Sequence, residues 1–263
     1  MKRLILAAMM AIGAAGAAHA QDPLKAAIEG AHRTPANVAR DSARHPYETL
    51  SFFGIRPDMT VVELEPSGGW YTEILAPYLR EKGKLIGAAE EMKPENRYAM
   101  AFKKKIDSNP AVYDKVAVGL FDPGKQYNIA PAGSVDMVLT FRNMHNWIGQ
   151  GDEKMRELLK AVHTVLKPGG VFGVVDHRLP ASMKQDERAS SGYMHEAWVI
   201  KTVEAAGFKL AAKSEVNANP KDTANHPKGV WTLPPSYALK DVDREKYMAI
   251  GESDRMTLKF VKQ

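Results

Sequence analysis

The sequence predicts an α/β domain: a doubly wound, mostly parallel sheet of seven strands behind a short helical preface. Three observations carry this expectation. Short β-branched runs alternate with amphipathic helical segments from residue 60 onward, so the hydrophobic period switches repeatedly between 2 and 3.6. The clearest helix puts Met155, Leu158, Leu159, Val162, Val165 and Leu166 on one face, with Asp152 and Glu153 in its first turn, and is stopped by Lys167-Pro168-Gly169-Gly170 before a new apolar run. The 263 residues contain no internal repeat or low-complexity tract, and chains of this length and class are commonly one domain.

Taken in order, the chain opens with Lys2 and Arg3, an apolar stretch over residues 4–18 and the small-x-small pattern Ala18-His19-Ala20. That is a secretory signal peptide over residues 1–20, too short and too rich in Gly and Ala for a membrane span, and it implies an exported, periplasmic protein. Residues 21–263 form one domain. Within it, residues 21–54 make the helical preface, with Thr34-Pro35 and His45-Pro46 as helix starts. A strand follows at 60–64, then a helix at 70–79, a strand at 85–89, a helix at 98–106, and strands at 116–120 and 135–140. After the long helix come a strand at 171–175, a helix at 194–206 and a strand at 208–214. Residues 217–251 lack a period and are rich in Pro, Lys and Asp, which marks a lid or an excursion over the site. The last strand, 256–261, reads as an edge strand or an inserted hairpin.

Composition excludes several chemistries. There is no cysteine, hence no lipid-anchored cysteine, disulfide, thiolate-bound metal or thiol nucleophile. The formal charge of +5 falls by two when Lys2 and Arg3 leave, and the remaining charges are interspersed, which argues against a nucleic-acid partner and against a membrane anchor in the mature chain. No HExxH and no Cys/His spacing points to a metal. The expected partner is a small-molecule or peptidic substrate.

In an open parallel sheet the ligand lies beyond the carboxyl ends of the strands, and the first strand-to-helix turn meets it. Here that turn is Glu63-Leu64-Glu65-Pro66-Ser67-Gly68-Gly69-Trp70. Its glycines allow close approach of backbone, but a pyrophosphate would face Glu65 at a cost of several kcal/mol in a partly desolvated cleft. A ligand carrying a sulfonium and an ammonium suits the acidic turn better than a dinucleotide, and the phosphate-binding GxGxxG is missing.

These features resemble the class I S-adenosylmethionine-dependent methyltransferases along most of the mature length. Val61-Val62-Glu63 followed by Ser67-Gly68-Gly69 is similar to that family's first motif, Asp136-Met137-Val138-Leu139 to its fourth-strand signature, Leu166-Lys167-Pro168-Gly169-Gly170 to its L-K-P-G-G turn, and Ala205-Ala206-Gly207-Phe208 to its A-G-F. More narrowly, Arg44-His45-Pro46, the run from Gly68-Gly69-Trp70 through Tyr78-Leu79, Phe141-Arg142-Asn143-Met144-His145-Asn146-Trp147, Gly229-Val230-Trp231-Thr232-Leu233-Pro234-Pro235 and Gly251-Glu252-Ser253-Asp254-Arg255 resemble a family of exported periplasmic proteins predicted to be such methyltransferases. The resemblance implies a Rossmann-like sheet and S-adenosylmethionine as cofactor. It assigns Glu63, Glu65, Ser67, Gly68, Gly69, Glu90, Asp122 and Arg142 to cofactor binding, with Glu90 on the ribose hydroxyls and Asp122 near the adenine. Glu65 and Ser67 depart from the family, most members carrying glycine there.

The loop after the fourth strand is rich in groups that orient a polar acceptor, and His145 is its candidate general base, with Asp176 and His177 after the fifth strand as the next candidates. The expected reaction is methyl transfer to an oxygen or nitrogen. The alternative is an exported, non-catalytic ligand-binding protein retaining the fold.

Overall fold

A computed structural model describes residues 22–263, so the leader expected over residues 1–20 lies outside the described residues. The preface consists of α1 (Pro23–Ile28), α2 (Pro35–Val38), α3 (Asp41–Arg44) and α4 (Pro46–Phe53). Three of these begin on proline, whose missing N–H is one the first helical turn leaves unpaired anyway.

The sheet is built from β1 (Thr60–Leu64), β2 (Lys84–Ala89), β3 (Ala117–Asp122), β4 (Gln126–Asn128), β5 (Val135–Phe141), β6 (Leu166–His177), β7 (Phe208–Ser214) and β8 (Arg255–Lys262). Between them lie α5 (Thr72–Leu79), α6 (Arg97–Asp107), α7 (Pro110–Tyr113), α8 (Met144–Trp147), α9 (Asp152–Val165), α10 (Glu196–Glu204) and α11 (Arg244–Ile250). The strand order is β4-β3-β2-β1-β5-β6-β8-β7, with β1, β2, β3, β5 and β6 parallel to their neighbours in that series.

Side chains of alternating sheet residues supply two cores. Val62, Leu64, Val138 and Phe172 pack with Leu158, Leu159 and Val162 of α9 on one face. Val61, Met137, Leu139 and Val175 pack with Leu50 and Phe53 of α4 and with Ile74 and Leu75 of α5 on the other. Both faces are therefore covered, as the near-continuous apolar strands require.

Three expectations need correction. The sheet has eight strands, not seven, because β4 pairs antiparallel with the end of β3 through Phe121 and Tyr127; three residues offer too little pattern to be read as a strand. Of the two readings of the C-terminal strand, the edge strand falls and the inserted antiparallel hairpin holds. β8 inserts antiparallel between β6 and β7, burying Met256, Leu258 and Phe260 completely, and pairing so distant in sequence leaves no local signature. β6 begins at Leu166 and runs to His177, with a register shift where Lys167-Pro168-Gly169-Gly170 interrupts the pairing, so Asp176 and His177 end this strand and do not follow it. Among the described residues no helix is long and apolar enough to cross a membrane.

From β1 the chain moves to β2 and β3 on one side, then returns to β5 and β6 on the other. The order reverses between β1 and β5, and the crevice beyond their carboxyl ends is where such sheets take ligands. The Asn143 side chain braces the two strand ends, donating to the Leu64 carbonyl at 3.0 Å and to Thr140 Oγ1 at 3.2 Å.

Candidate active site

A cavity of about 730 Å³ opens at this reversal point. It is lined by the ends of β1, β2, β3 and β5, by α8, by Arg44 of the preface and by Trp231 of the 217–251 segment. Its volume lies within the roughly 300–1,000 Å³ typical of sites for drug-sized ligands.

One side is acidic. Glu63, the last residue but one of β1, is 3% exposed and accepts a 2.6 Å hydrogen bond from Thr72 Oγ1; burial pushes its carboxyl up to about 7 against that bond. Glu65 accepts from Trp147 Nε1 at 2.7 Å. Burial lifts it to about 7 as well, the Trp147 bond opposing and the neighbouring Glu90 adding to the rise. Glu90 and Asp122 stand at the ends of β2 and β3 on the same cavity, and Lys125 Nζ approaches Asp122 at 3.3 Å. Glu91, the next residue after Glu90, points out and pairs with Lys93 at 2.8 Å.

The loop backbone explains why glycine suits two of these positions. Glu65 has φ 46° and Ser67 φ 51°, both left-handed, a conformation that costs a residue with a side chain on the order of 1 kcal/mol. Arg142, directly after β5, also stands at φ 64°. Three such residues on one cavity are the kind of local strain that collects at functional sites. Gly69 turns at φ 74° into α5 and Gly68 faces open space; neither lines the cavity, so the structure does not bring these two glycines of the first turn onto it.

Near Glu65 sit the candidate catalytic groups. His145 lies on α8, 7% exposed and lining the cavity, with Nδ1 2.9 Å from Asp176 Oδ1. Asp176 is fully buried behind it, does not line the cavity, and also accepts from the backbone N–H groups of His145 (3.3 Å) and His177 (2.7 Å). A carboxylate accepts and does not donate, so the proton of neutral His145 sits on Nδ1 and Nε2 is left as acceptor. The His177 ring, 5.2 Å away, pairs with Ser253 Oγ at 2.5 Å. Burial, then the charges of His145, Arg142, Arg255 and Arg44, pushes His177 well below the usual histidine range, so it is neutral.

His145, Asp176 and His177 each offer a ligand atom within 4.8 Å of the others. The chemistry of the surroundings opposes a dication there: Asp176 is already engaged three times, and arginines bear on the same histidine.

Sequence reading does not nominate Arg44, Tyr71 or Trp231, which the fold brings to the site. Tyr71 stacks on Phe141 with centroids 3.5 Å apart, and Trp231 meets His145 edge-on at 6.2 Å. The segment carrying Trp231 is pinned by buried Asn217, which donates to Thr49 and Thr257 hydroxyls at 3.0 Å, and by Asp222, which accepts from Tyr193 Oη at 2.8 Å. The available signal for all three was their place in short runs shared with the resembled family, which says nothing about role.

The fold is that of S-adenosylmethionine-dependent methyltransferases. The chain is similar to such an enzyme from Aquifex aeolicus (TM-score 0.58, 18% identity, covering 92% of this chain and 99% of that one). It is similar also to geranyl diphosphate C-methyltransferase from Streptomyces coelicolor A3(2), solved with Mg2+, geranyl diphosphate and S-adenosyl-L-homocysteine (TM-score 0.58, 13% identity, 90% and 88%). The [4+2]-cyclase SpnF shares the architecture too (TM-score 0.56, 15% identity, 91% of each chain), so the fold alone does not dictate the reaction. No family model and no curated protein matches the sequence.

Proposed function

We propose that this protein, exported to the periplasm, transfers a methyl group from S-adenosylmethionine to an oxygen or nitrogen of a small-molecule or peptidic acceptor. The observation that carries the reading is the make-up of the cavity: Glu63, Glu65, Glu90 and Asp122 gather at the strand ends, suited to a cationic cofactor, and His145 lines the same cavity with its Nε2 unbonded. The methyltransferase fold of the neighbouring structures supports it.

The residues fit the cofactor. Glu90 makes no ion pair among the described residues and is free to accept from a ribose diol, Asp122 on the same cavity is the group we assign to the adenine, and Glu63 and Glu65 offer negative charge that a sulfonium and ammonium would stabilise. The cofactor supplies an electrophilic methyl group whose bonding electrons leave with sulfur. The protein holds the acceptor in line, excludes water beneath Trp231, and takes the acceptor's proton on His145 Nε2, with Asp176 orienting the ring. In this reading residues 217–251 are the cover of the site.

Calorimetric titration of the purified protein with S-adenosylmethionine, S-adenosylhomocysteine and NAD tests the proposal. Binding of the first two and not the third is expected. NAD binding alone, or none of the three, would remove it.

A further inference from the structure

Near His177 four arginines cluster, of which Arg44 and Arg142 line the cavity. Arg40 caps α3, Arg44 ends it, Arg142 follows β5 and Arg255 opens β8. The carboxylate that serves them is Glu252, which lies 2.6 Å from Arg40 Nε, 3.3 Å from Arg255 Nη1 and 3.5 Å from Arg44 Nε. Burial would raise Glu252, yet Arg44, Arg40 and Arg255 hold it down at about 2, so it is ionised and fully engaged. Arg142 makes no side-chain hydrogen bond or ion pair among the described residues.

Arg44 is the decisive side chain. It is 1% exposed, lines the cavity, and none of its three guanidinium nitrogens makes a hydrogen bond. Its face lies over the Trp70 ring at 4.6 Å, which leaves the fork edge free. Four guanidinium groups against one carboxylate are too many for structure alone, because a buried unpaired charge destabilises the fold that carries it. The repulsion is visible on the groups themselves: burial, then Arg142, depresses Arg44 well below its ordinary range, and burial, then Arg255, brings Arg142 to about 10. A planar fork of donors without a hydrogen-bond partner is matched by a carboxylate or a phosphate, which accepts two parallel bonds.

We propose that the arginine end of the cavity, built on Arg44 and Arg142, is a subsite for an oxyanion group, a carboxylate or phosphate, carried by the methyl acceptor. This rests on the methyl-transfer reading above and narrows the acceptor to an anionic class. Placement beside the acceptor rests on the neighbours of the arginines: they bear on His177, whose ring lies 5.2 Å from that of His145, the proposed base, whereas Glu63, Glu65, Glu90 and Asp122 supply the carboxylates for the cofactor's cationic centre. Bound there, the anion would neutralise the arginines and bring an adjacent hydroxyl or amine towards His145 Nε2.

Inorganic phosphate and succinate are the probes, titrated into the purified protein with and without saturating S-adenosylhomocysteine. At least one is expected to bind, to bind equally well beside S-adenosylhomocysteine, and to lose tenfold or more in affinity in Arg44→Gln, with a smaller loss in Arg44→Lys. S-adenosylhomocysteine affinity should move less than twofold in both variants. Failure of both anions to bind the parent protein, or binding indifferent to Arg44→Gln, overturns the subsite while leaving the cofactor reading intact. Competitive displacement of the anion by S-adenosylhomocysteine also overturns it, assigning the arginines to the cofactor's own carboxylate. Anion binding sensitive to Arg44 in a protein that ignores S-adenosylhomocysteine keeps the subsite and removes methyl transfer. The competition arm uses the parent protein, so the test does not depend on the variants folding.

Discussion

His145 and Asp176, thirty-one positions apart, form an imidazole–carboxylate pair at 2.9 Å with the carboxylate buried and the ring facing the cavity. The pairing sets the tautomer, because Asp176 has only acceptors to offer and keeps the Nδ1 proton in place. Nitrogen-15 NMR of the free protein should therefore show neutral His145 protonated at Nδ1. The opposite tautomer would remove the proposed route for the acceptor's proton.

On an acceptor found by screening exported anionic molecules and peptides, His145→Gln should slow turnover by about two to four powers of ten, the usual cost of losing a general base. Asp176→Asn acts through the ring and should lower kcat with little change in S-adenosylhomocysteine affinity. A variant that loses cofactor binding and turnover in equal measure would identify a packing role in place of the catalytic one.

The buried carboxyl of Glu63 makes stability and binding respond oppositely to pH. Its folded value, about 7, lies above the ordinary 4.5, so its contribution to stability is complete below about pH 4.5 and is lost as pH rises through 7. That rise corresponds to on the order of 3 kcal/mol. Glu63→Gln should remove this part of the alkaline decline in Tm, and the difference from the parent isolates it from His177, whose lowered value works in the acid direction. Because a bound sulfonium favours the ionised carboxylates, S-adenosylmethionine should release more protons on binding near pH 6.5 than S-adenosylhomocysteine, measured by calorimetry in buffers of different ionisation enthalpy. Equal release would detach Glu63 and Glu65 from the sulfonium.

Glu90 and Glu91 are adjacent yet inequivalent, one on the cavity and the other paired with Lys93 in solvent. Glu90→Ala should weaken S-adenosylhomocysteine binding by about 1 to 3 kcal/mol, the scale of a charge-assisted hydrogen bond, and Glu91→Ala should leave it unchanged. Equal effects would put the ribose elsewhere.

Gly69 and Gly68 should separate in the same way on stability. A Cβ at Gly69 meets φ 74° and the Lys105 side chain at 2.7 Å, whereas one at Gly68 meets nothing within 4 Å. Gly69→Ala is expected to cost about 1 to 2 kcal/mol in urea denaturation, and Gly68→Ala less than about 0.5. A reversed order would mean that the turn is held differently.

Local pattern made the α/β alternation, the seven longer strands and the proline-led preface legible, because period, caps and breakers act within a few residues. The acidic first turn and the polar loop around His145 were also readable locally, whereas Glu90, Asp122 and Arg142 came from the family resemblance; with Glu63, Glu65, His145 and His177 they line the cavity at the reversal point. The remainder was decided by contacts between residues far apart. Nothing near residue 256 decides between an edge strand and one inserted in the sheet, nothing near Asp176 reveals that it sits behind His145 instead of on the cavity, and nothing near Arg44 that its guanidinium is buried among three others with one carboxylate to share. A charge's partner and its distance from water belong to the packed chain, and those two quantities turn an ordinary surface-type residue into a site.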